Sequence, residues 1–341
     1  MNISTTVLSI CIATRNRGAF ISETLLNIAS QLTEQVEIVV LDGASSDDTT
    51  AVVTGLQTQI PNLRYFRKDK NGGVDADYDD AVSKATGEYC WLMSDDDLLK
   101  PGAIAAVLKA ISRRPSLIVV NAELCTLDFS RLIDERRLMI SQDQDYAADE
   151  LEDLFVDASG YLSYIGAVVI NRTVWLARDR TTYYGSYFIH VGVIFQAPLP
   201  RGAIVLSDPL ISIRFGNTVW RPKEFEIRMI RWTDLVWSLN GISDSVKARI
   251  YRREPWLSIK SLFFYRAKGT YGPTEYKQWL IPRLGSKRNR AVALFIAYFP
   301  GVVANLAGLL YCMGNYRDAR VHFLDMKVSR FYYKNLRFRA S

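Results

Sequence analysis

Three consecutive carboxylates, Asp95, Asp96 and Asp97, directly follow the apolar run of residues 89–93. Such a run is typical of a buried strand, and adjacent ionised carboxylates resist burial unless a cation accompanies them. A ligand set made only of oxygen atoms favours a hard divalent cation, Mg2+ or Mn2+. An acidic turn that caps the next helix would explain the same residues, since Pro101 suits the first turn of a helix. The motif alone leaves both interpretations open.

Two other polar segments, residues 14–18 and 42–48, also follow apolar runs. A carboxylate such as Asp42 only accepts hydrogen bonds, which suits the N3–H of uracil or the exocyclic amine of cytosine. Helix capping is the simpler explanation for Asp47.

A further acidic stretch, residues 71–80, begins with two glycines that permit close backbone approach to a ligand. Within it, Asp75 and Tyr78 are candidates for contact with a base, a ribose or a sugar. Part of the stretch is expected to be solvated surface.

Apolar runs of strand length alternate with segments whose apolar residues recur at helical spacing. Strands are predicted at residues 7–13, 36–41, 63–66, 90–93 and 117–120, and helices at residues 20–32, 47–60 and 103–111. This order predicts a doubly wound α/β domain, in which ligands bind outside the carboxyl ends of the strands. The polar segments that follow the strands should therefore meet along one edge of the sheet.

The composition sets the outer limits of the fold. A chain of 341 residues, 49% of them hydrophobic, can bury a sizeable core and has room for one large domain with an appendage. Its four cysteines are scattered, which favours reduced packing residues in a cytosolic protein. The first residues lack the basic and apolar regions of a signal peptide, so we expect the site to face the cytoplasm.

Charge is divided unevenly along the chain. Residues 223–341 carry 22 Lys and Arg against 8 Asp and Glu, whereas residues 1–222 carry 20 against 28. The basic part is expected to face nucleic acid, anionic lipid or a pyrophosphate-bearing substrate. Because no nucleic-acid module is recognisable, we favour an anionic membrane surface as the partner.

Residues 291–313 contain no charged side chain and are flanked by basic residues. Their length would suffice for a transmembrane helix, but the central Pro300 and the cations at both ends argue against a simple span. A helical hairpin at the membrane interface, or a broken helix packed in the protein, fits better. A buried helix pair in a soluble domain is the alternative.

Three segments resemble the successive motifs of family 2 glycosyltransferases, which have the GT-A fold: residues 13–17, 37–49 and 87–97. The resemblance implies that Thr14, Arg15 and Asn16, in the loop after the first strand, hold the nucleoside together with Asp42. It also implies that an Asp-X-Asp motif holds Mn2+ or Mg2+ on the diphosphate of the donor.

The Asp-X-Asp motif departs from the family pattern in one respect. Its usual first Asp falls on Ser94, which shifts the literal motif to Asp95 and Asp97. Asp96 is then the positional match to the main metal ligand, while Asp95, a candidate for donor contact as well, and Asp97 stay alternative ligands.

Further segments resemble a narrower group, the abequosyltransferases: residues 163–166, Trp175, and residues 184–191, 208–210, 214–217 and 254–257. This resemblance implies transfer of a 3,6-dideoxyhexose from CDP-abequose to a lipid-linked O-antigen precursor. The exact sugar is left open.

An inverting transferase needs a general base beside the acceptor hydroxyl, usually a carboxylate in family 2. His190 is the candidate in the aromatic-rich segment where a base is expected, and its unperturbed pKa of about 6.5 suits cytoplasmic pH. Asp157 is the alternative base. A packed or acceptor-binding histidine is equally compatible with the sequence, and a retaining reaction would require no enzymatic base.

A polar loop that follows the apolar run of residues 210–213 contains Arg214, Asn217 and Trp220. Arginine can bind a phosphate in bidentate fashion or hold a sugar hydroxyl, and tryptophan offers a flat face for a pyranose ring. A structural salt bridge for Arg214 and a core position for Trp220 are the alternatives.

These observations predict a metal-dependent glycosyltransferase, with a GT-A domain in residues 1–222 and a helical, basic region in residues 223–341. We expect it to lie at the inner face of the cytoplasmic membrane and to transfer a sugar from a nucleotide-sugar donor, with CDP favoured. The expected acceptor is a polyprenyl-diphosphate-linked oligosaccharide. The alternative hypotheses are a family 2 transferase that uses a UDP- or dTDP-sugar, a nucleotidyltransferase, and a silent scaffold at the membrane.

Overall fold

The computed structural model describes residues 6–336, apart from the side chains of residues 316–318, 335 and 336. The chain forms two compact units. The first contains the chain up to Phe215 together with Ser238–Val246, and the second contains Gly216–Trp237 and the chain from Lys247 onward. The sequence predicts a border after residue 222, whereas the structure divides the chain after Phe215 and returns one short segment to the first unit.

The first unit is built on one mixed sheet. Among residues 6–336 its strands are β1 (Leu8–Thr14), β2 (Val36–Asp42), β3 (Leu63–Arg67), β4 (Tyr89–Met93), β5 (Leu98–Leu99), β6 (Leu117–Cys125), β7 (Leu132–Asp134), β8 (Gln144–Tyr146), β9 (Val168–Asn171) and β10 (Ala203–Arg214). Their order is β3-β2-β1-β4-β9-β6-β10-β5, with β7 beside β6 and β8 beside β10. Strands β1 to β4 are parallel, whereas β9 is antiparallel to both β4 and β6.

Strands β1, β2 and β4 are almost completely buried along their lengths. A strand that is covered on both faces needs apolar residues at nearly every position, which is why these segments are continuous apolar runs in the sequence. All five predicted strands are present, and the predicted α/β class with a mixed sheet is confirmed.

Seven α-helices accompany the sheet in the described residues up to Phe215: α1 (Gly18–Ala29), α2 (Thr49–Gln57), α3 (Val74–Lys84), α4 (Ala103–Ile111), α5 (Leu151–Ala158), α6 (Arg172–Leu176) and α7 (Ile189–Phe195). Helices α1 and α2 start from the loops that leave β1 and β2. These two helices therefore fix the ends of the two polar loops at the carboxyl edge of the sheet.

The C-terminal region is helical, as predicted. Its helices are α8 (Trp232–Ser238), α9 (Asp244–Ile250), α10 (Ile259–Lys268), α11 (Pro273–Glu275), α12 (Lys287–Tyr298), α13 (Gly301–Gly314), α14 (Tyr316–Lys327) and α15 (Tyr333–Leu336). The second unit has its own core, in which Phe225, Trp256, Tyr271 and Leu280 are buried.

Helices α12 and α13 replace the continuous helix that the uncharged run could have formed. No single helix within residues 6–336 is long and apolar enough to cross a membrane, whereas this pair reaches that length and composition together but bends by 93° at its break. One side of α13 packs on the unit, with Ala304 and Leu309 in a cluster with Ala267 and Met326. The opposite side is exposed.

We call the exposed side of the pair the apolar face. Its residues are Phe295, Tyr298, Val302, Val303, Leu306, Leu310 and Met313. Phe295 and Leu310 are 67% and 61% exposed, so these side chains leave large apolar surfaces uncovered within the described structure. A helix that is apolar all round normally has both sides buried.

Candidate functional site

The loops that follow β1, β2 and β4 meet at the carboxyl edge of the sheet. The backbone N–H of Asn16 donates to the Ser45 hydroxyl at 2.9 Å, and Asn16 Oδ1 accepts from the N–H of Ser46 at 2.8 Å. Arg17, in the same loop, reaches the carboxylates of Asp95 and Asp96. The structure thus brings together the three polar segments that the strand order predicts at one edge.

Asp95 and Asp96 share the guanidinium of Arg17. Arg17 Nε lies 3.0 Å from Asp95 Oδ1, and its Nη2 contacts Asp96 Oδ2. The two carboxylate side chains are only 13% and 15% exposed. Burial, followed by repulsion from Asp96, raises the pKa of Asp95 to about 6 even though Arg17 opposes the shift. The guanidinium of Arg17 therefore favours the ionised form of Asp95.

Asp97 is used differently from its two neighbours. Its Oδ1 accepts the backbone N–H of Arg214 at 2.8 Å, and its Oδ2 accepts the Tyr164 hydroxyl at 2.6 Å and the Ser94 hydroxyl. Burial, with repulsion from Asp96 second, raises the pKa of Asp97 to about 7. Both oxygens are already engaged, so Asp97 anchors the loop.

The oxygen atoms of Asp95 and Asp96 fit a hard divalent cation. Within residues 6–336, no three His, Cys, Asp or Glu side chains are grouped to hold one metal ion. A cation here would take its remaining ligands from a diphosphate and water, which is the usual arrangement for Mg2+ beside substrate phosphates. Asp97 fits a metal less well because its oxygens accept protein hydrogen bonds.

Arg214 braces the acidic loop from the end of β10. Its Nε donates to the backbone carbonyl of Asp96 at 2.8 Å, its Nη1 donates to that of Leu127 at 2.6 Å, and its Nη2 pairs with Glu23. The residue is 8% exposed. These contacts favour the structural alternative, while direct binding of phosphate or sugar by Arg214 stays a prediction.

Asn217 and Trp220 belong to the second unit, whereas the acidic loop belongs to the first. The Trp220 side chain is 38% exposed, and the Arg228 guanidinium lies 5.4 Å from its ring centre. The core position that was the alternative for Trp220 is therefore not observed. Acceptor contact by either residue stays a prediction.

Asp42 is completely buried at the end of β2. Its Oδ1 accepts the N–H of Ser45 at 2.7 Å, and its Oδ2 accepts the Tyr65 hydroxyl at 2.6 Å. Burial and this hydrogen bond raise the pKa of Tyr65 to about 12. Asp42 thus shapes the turn after β2, and its contact with a nucleoside stays a prediction.

The backbone is strained in the loops that follow β1 and β2. Asn16 has a φ of 55° and Ala44 a φ of 64°, in the left-handed region that residues with a side chain rarely adopt. Thr14 is buried beneath these turns, whereas Arg15 and Asn16 are exposed at the edge. A base could be reached by the two exposed residues.

Asp75 and Tyr78 are buried on α3. Asp75 accepts the backbone N–H groups of Gly185, Tyr187 and Ile189 at 2.8–3.0 Å, and the Tyr78 hydroxyl donates to the carbonyl of Met93 at 3.0 Å. These contacts fix the segment before α7 and the end of β4. They favour a structural role for both residues, and their predicted donor contact is untested.

Neither candidate base is well placed: His190 is buried, and Asp157 lies far from the acidic loop. His190 is 1% exposed, with Nε2 2.7 Å from the carbonyl of Leu162, and burial lowers its pKa to about 4. Asp157 accepts a hydrogen bond from the hydroxyl of Tyr146, which lies opposite Ala203, the first residue of β10. The acidic loop is instead held by Arg214, the last residue of β10. A strand of that length spans roughly 35 Å, which argues against Asp157 as the base.

Sequence reasoning missed Arg17 as a functional residue. It stands in the first polar segment, but its acidic partners lie 78 and 79 residues further along the chain. Only the predicted meeting of the loops could have suggested the contact.

The family model described as glycosyl transferase family 2 matches residues 9–160, which include all three loops. Residues 9–160 are a family 2 glycosyltransferase domain. Across 307 residues, 83% of this chain and 91% of the relative, the protein is 24% identical to abequosyltransferase RfbV of Salmonella typhimurium. Over 103 residues, 30% of this chain and 33% of the relative, it is 31% identical to GalNAc(5)-diNAcBac-PP-undecaprenol beta-1,3-glucosyltransferase of Campylobacter jejuni.

Solved structures show that this glycosyltransferase has the GT-A fold. The structure of S. aureus TarS 1-349 in complex with UDP aligns with a TM-score of 0.58 at 15% identity, covering 98% of this chain and 91% of that one. The mannosyltransferase PcManGT from Pyrobaculum calidifontis, solved with GDP-Man and Mn2+, aligns with a TM-score of 0.52 at 15% identity, covering 96% and 86%.

Proposed function

We propose that this glycosyltransferase uses a divalent cation to transfer a hexose from a nucleoside diphosphate sugar to a lipid-linked oligosaccharide in polysaccharide synthesis. The observation that carries the proposal is the Asp95–Asp96 pair at the edge where the loops after β1 and β2 meet. Loss of the sugar leaves negative charge on the diphosphate, and a cation held by Asp96 with Asp95 would neutralise that charge.

The remaining residues position this pair. Asp97 and Arg214 hold the acidic loop against β10, while Asp42 holds the turn after β2. Arg15 and Asn16 are exposed at the same edge and are proposed to contact the nucleoside. Because these supports are buried and hydrogen-bonded, the acidic pair is preorganised before the donor arrives.

For the donor we propose CDP with a 3,6-dideoxyhexose. The support is the similarity to abequosyltransferase RfbV, which extends over 91% of that relative. Structural neighbours of the same fold were solved with UDP, UDP-GlcNAc or GDP-Man, so a UDP- or dTDP-sugar is the second candidate. A nucleotidyltransferase would instead consume a sugar phosphate and a nucleoside triphosphate, and the family match argues against it.

We also propose that the protein associates peripherally with the inner face of the cytoplasmic membrane, where a lipid-linked acceptor would be found. The support is the apolar face of α12 and α13 together with exposed Lys287, Arg288 and Arg290 on the first turn of α12. Apolar side chains can enter the interface while the cations attract anionic lipid.

The metal assignment predicts the effect of Asp96→Asn. Transfer supported by Mn2+ should fall at least about a hundredfold, because the charge that holds the cation at the leaving group is lost. The measurement is release of nucleoside diphosphate with donor, acceptor and Mn2+. Asp145→Asn is the matched control, since Asp145 pairs with exposed Arg113 beside the first residues of β10. Full activity of Asp96→Asn in a folded protein would reject the assignment.

A further inference from the structure

The Arg17 guanidinium contacts both of the carboxylates proposed to hold a divalent cation. It bridges Asp95 Oδ1 and Asp96 Oδ2, and the Arg17 side chain is 7% exposed. The guanidinium carbon also lies 4.6 Å from the ring centre of Phe20, and the backbone N–H donates to the Thr49 hydroxyl at 2.8 Å. The backbone of Arg17 is thus fixed by α2, so any exchange of partners has to come from rotation of its side chain.

A metal ion bound to Asp95 and Asp96 and this guanidinium would compete for the same two negative charges. A small divalent cation binds carboxylate oxygens at about 2.1 Å, which would leave it within a few ångströms of the guanidinium. Repulsion between two cations at this distance is strong in a partly buried site. Metal binding at Asp96 therefore favours movement of the Arg17 side chain away from the acidic pair.

The donor offers the guanidinium a new partner. A diphosphate carries at least two negative charges, and arginine binds phosphate oxygens in bidentate fashion. If Arg17 moves from carboxylates to phosphates while the metal takes its place, each charged group remains paired. Without the diphosphate, the same displacement leaves the guanidinium unpaired beside a metal ion.

We propose that Arg17 is an exchangeable internal cation, which neutralises Asp95 and Asp96 in the free protein and passes to the diphosphate when the nucleotide brings the metal. This inference rests on the proposed function, since it takes Asp96 as a metal ligand. It makes Mn2+ binding conditional on the nucleotide. By linkage, each of the two ligands raises the affinity of the other by the same factor.

The test measures the affinity of the protein for Mn2+ in the absence of any nucleotide. Free Mn2+ is quantified by electron paramagnetic resonance during titration of wild type, Arg17→Gln and Arg15→Gln. Arg15 is the matched control because it lies two positions away in the same loop, is exposed, and its replacement removes the same charge. Arg17→Gln should bind Mn2+ at least about tenfold more tightly than wild type, because the competing cation is gone. Arg15→Gln should bind it with wild-type affinity.

Three results would overturn the proposal. They are an unchanged Mn2+ affinity in Arg17→Gln, an equal gain in Arg15→Gln, and a gain in Arg17→Gln that persists when Asp96→Asn is added. If Arg17→Gln does not fold, Arg17→Lys carries the test. Lysine keeps the charge but lacks the planar fork with which arginine bridges two carboxylates, so it should hold the pair less firmly and Mn2+ should again bind more tightly than in wild type.

The titration separates this inference from the proposed function. It contains no donor and no acceptor, so a protein without transfer activity could still show the exchange between Arg17 and Mn2+. Conversely, a confirmed transferase in which Arg17→Gln leaves Mn2+ affinity unchanged would retain the proposed function and lose the inference.

Discussion

His190 shows how burial changes the use of a titratable side chain. In the unfolded chain its imidazole takes up a proton at an ordinary pKa of about 6.5. In the folded protein burial lowers that pKa to about 4, and Nε2 is bonded to the carbonyl of Leu162. Between these two pKa values the unfolded state binds more protons, so this residue makes the folded state more stable as pH rises from 4 to 6.5.

This argument predicts the behaviour of His190→Gln. A glutamine amide can donate to the same carbonyl without titrating, so transfer activity should stay within a few-fold of wild type. The free energy of unfolding should rise less steeply between pH 4 and 6.5, the difference reaching at most about 3 kcal/mol. Urea unfolding at several pH values measures it.

His322→Gln is the control for this experiment, because that side chain is 55% exposed and should contribute less to the slope. A hundredfold loss of turnover in His190→Gln, with donor affinity preserved, would instead support the histidine as the base.

The three carboxylates of the acidic loop mark the limit of sequence reasoning at this scale. The sequence predicts that a cation is needed and makes Asp96 the positional match to the main metal ligand, but it leaves Asp95 and Asp97 as alternative ligands. What separates them is their contacts: Asp97 is engaged by Tyr164 and Arg214, which lie 67 and 117 residues further along the chain. Neither spacing nor composition encodes contacts of that range.

At the scale of elements, α13 carries two apolar sides with different surroundings. One side packs Ala304 and Leu309 into the second unit, while Leu306 and Leu310 are 54% and 61% exposed on the other. Exposed Lys287 and Arg288 begin the preceding helix. An apolar patch bordered by cations matches the chemistry of an anionic bilayer surface.

We therefore expect Leu306→Asp to weaken binding to vesicles that contain phosphatidylglycerol. A leucine contributes roughly 1.5–3 kcal/mol when it leaves water, so the affinity should drop about tenfold or more. Vesicle flotation measures the bound fraction. Gln278→Asp, at an exposed position of the same unit, adds the same charge outside the apolar face and serves as the control. Equal binding of both variants would show that the face does not contact lipid.

Elements that form clear apolar runs or helical patterns could be predicted from the sequence, whereas the shortest elements could not. Strands β1, β2 and β4 are mainly apolar runs of five to seven residues and were predicted to within one or two residues. By contrast, β9 has only four residues and directly follows a short 3-10 turn, so its antiparallel place between β4 and β6 has no local signature. The bend of the α12–α13 pair was partly predictable, because Pro300 interrupts the uncharged run.

At the scale of the whole molecule, the net charges of the two parts of the sequence have opposite signs. The acidic excess of residues 1–222 accompanies a site that needs a cation, and the basic excess of residues 223–341 accompanies the helices with the apolar face. The division of charge can be counted in the sequence, whereas the boundary at Phe215 depends on tertiary contacts. A corresponding division of tasks stays a prediction.

The identity of the nucleotide can be tested on the whole protein. CDP, UDP, GDP and dTDP are compared by thermal unfolding, each with and without Mn2+. A ligand at a hundred times its Kd stabilises the native state by about 2.7 kcal/mol. Because CDP is the proposed donor nucleotide, CDP with Mn2+ should raise the Tm most. The part of the shift that depends on Mn2+ should vanish in Asp96→Asn. A larger shift with UDP or dTDP would select the second donor candidate.

Asn305 limits what the bent helix pair can become. From the middle of α13 its side-chain amide donates to the backbone carbonyls of Ala267 and Met326, at 3.1 and 2.9 Å. If α13 left the second unit to form one straight helix with α12, both of these buried hydrogen bonds would be broken. On the proposed membrane, only the side chains of the apolar face would therefore enter the lipid, and neither helix would cross it. Alkaline carbonate should wash it off, whereas an integral protein comes away only in detergent.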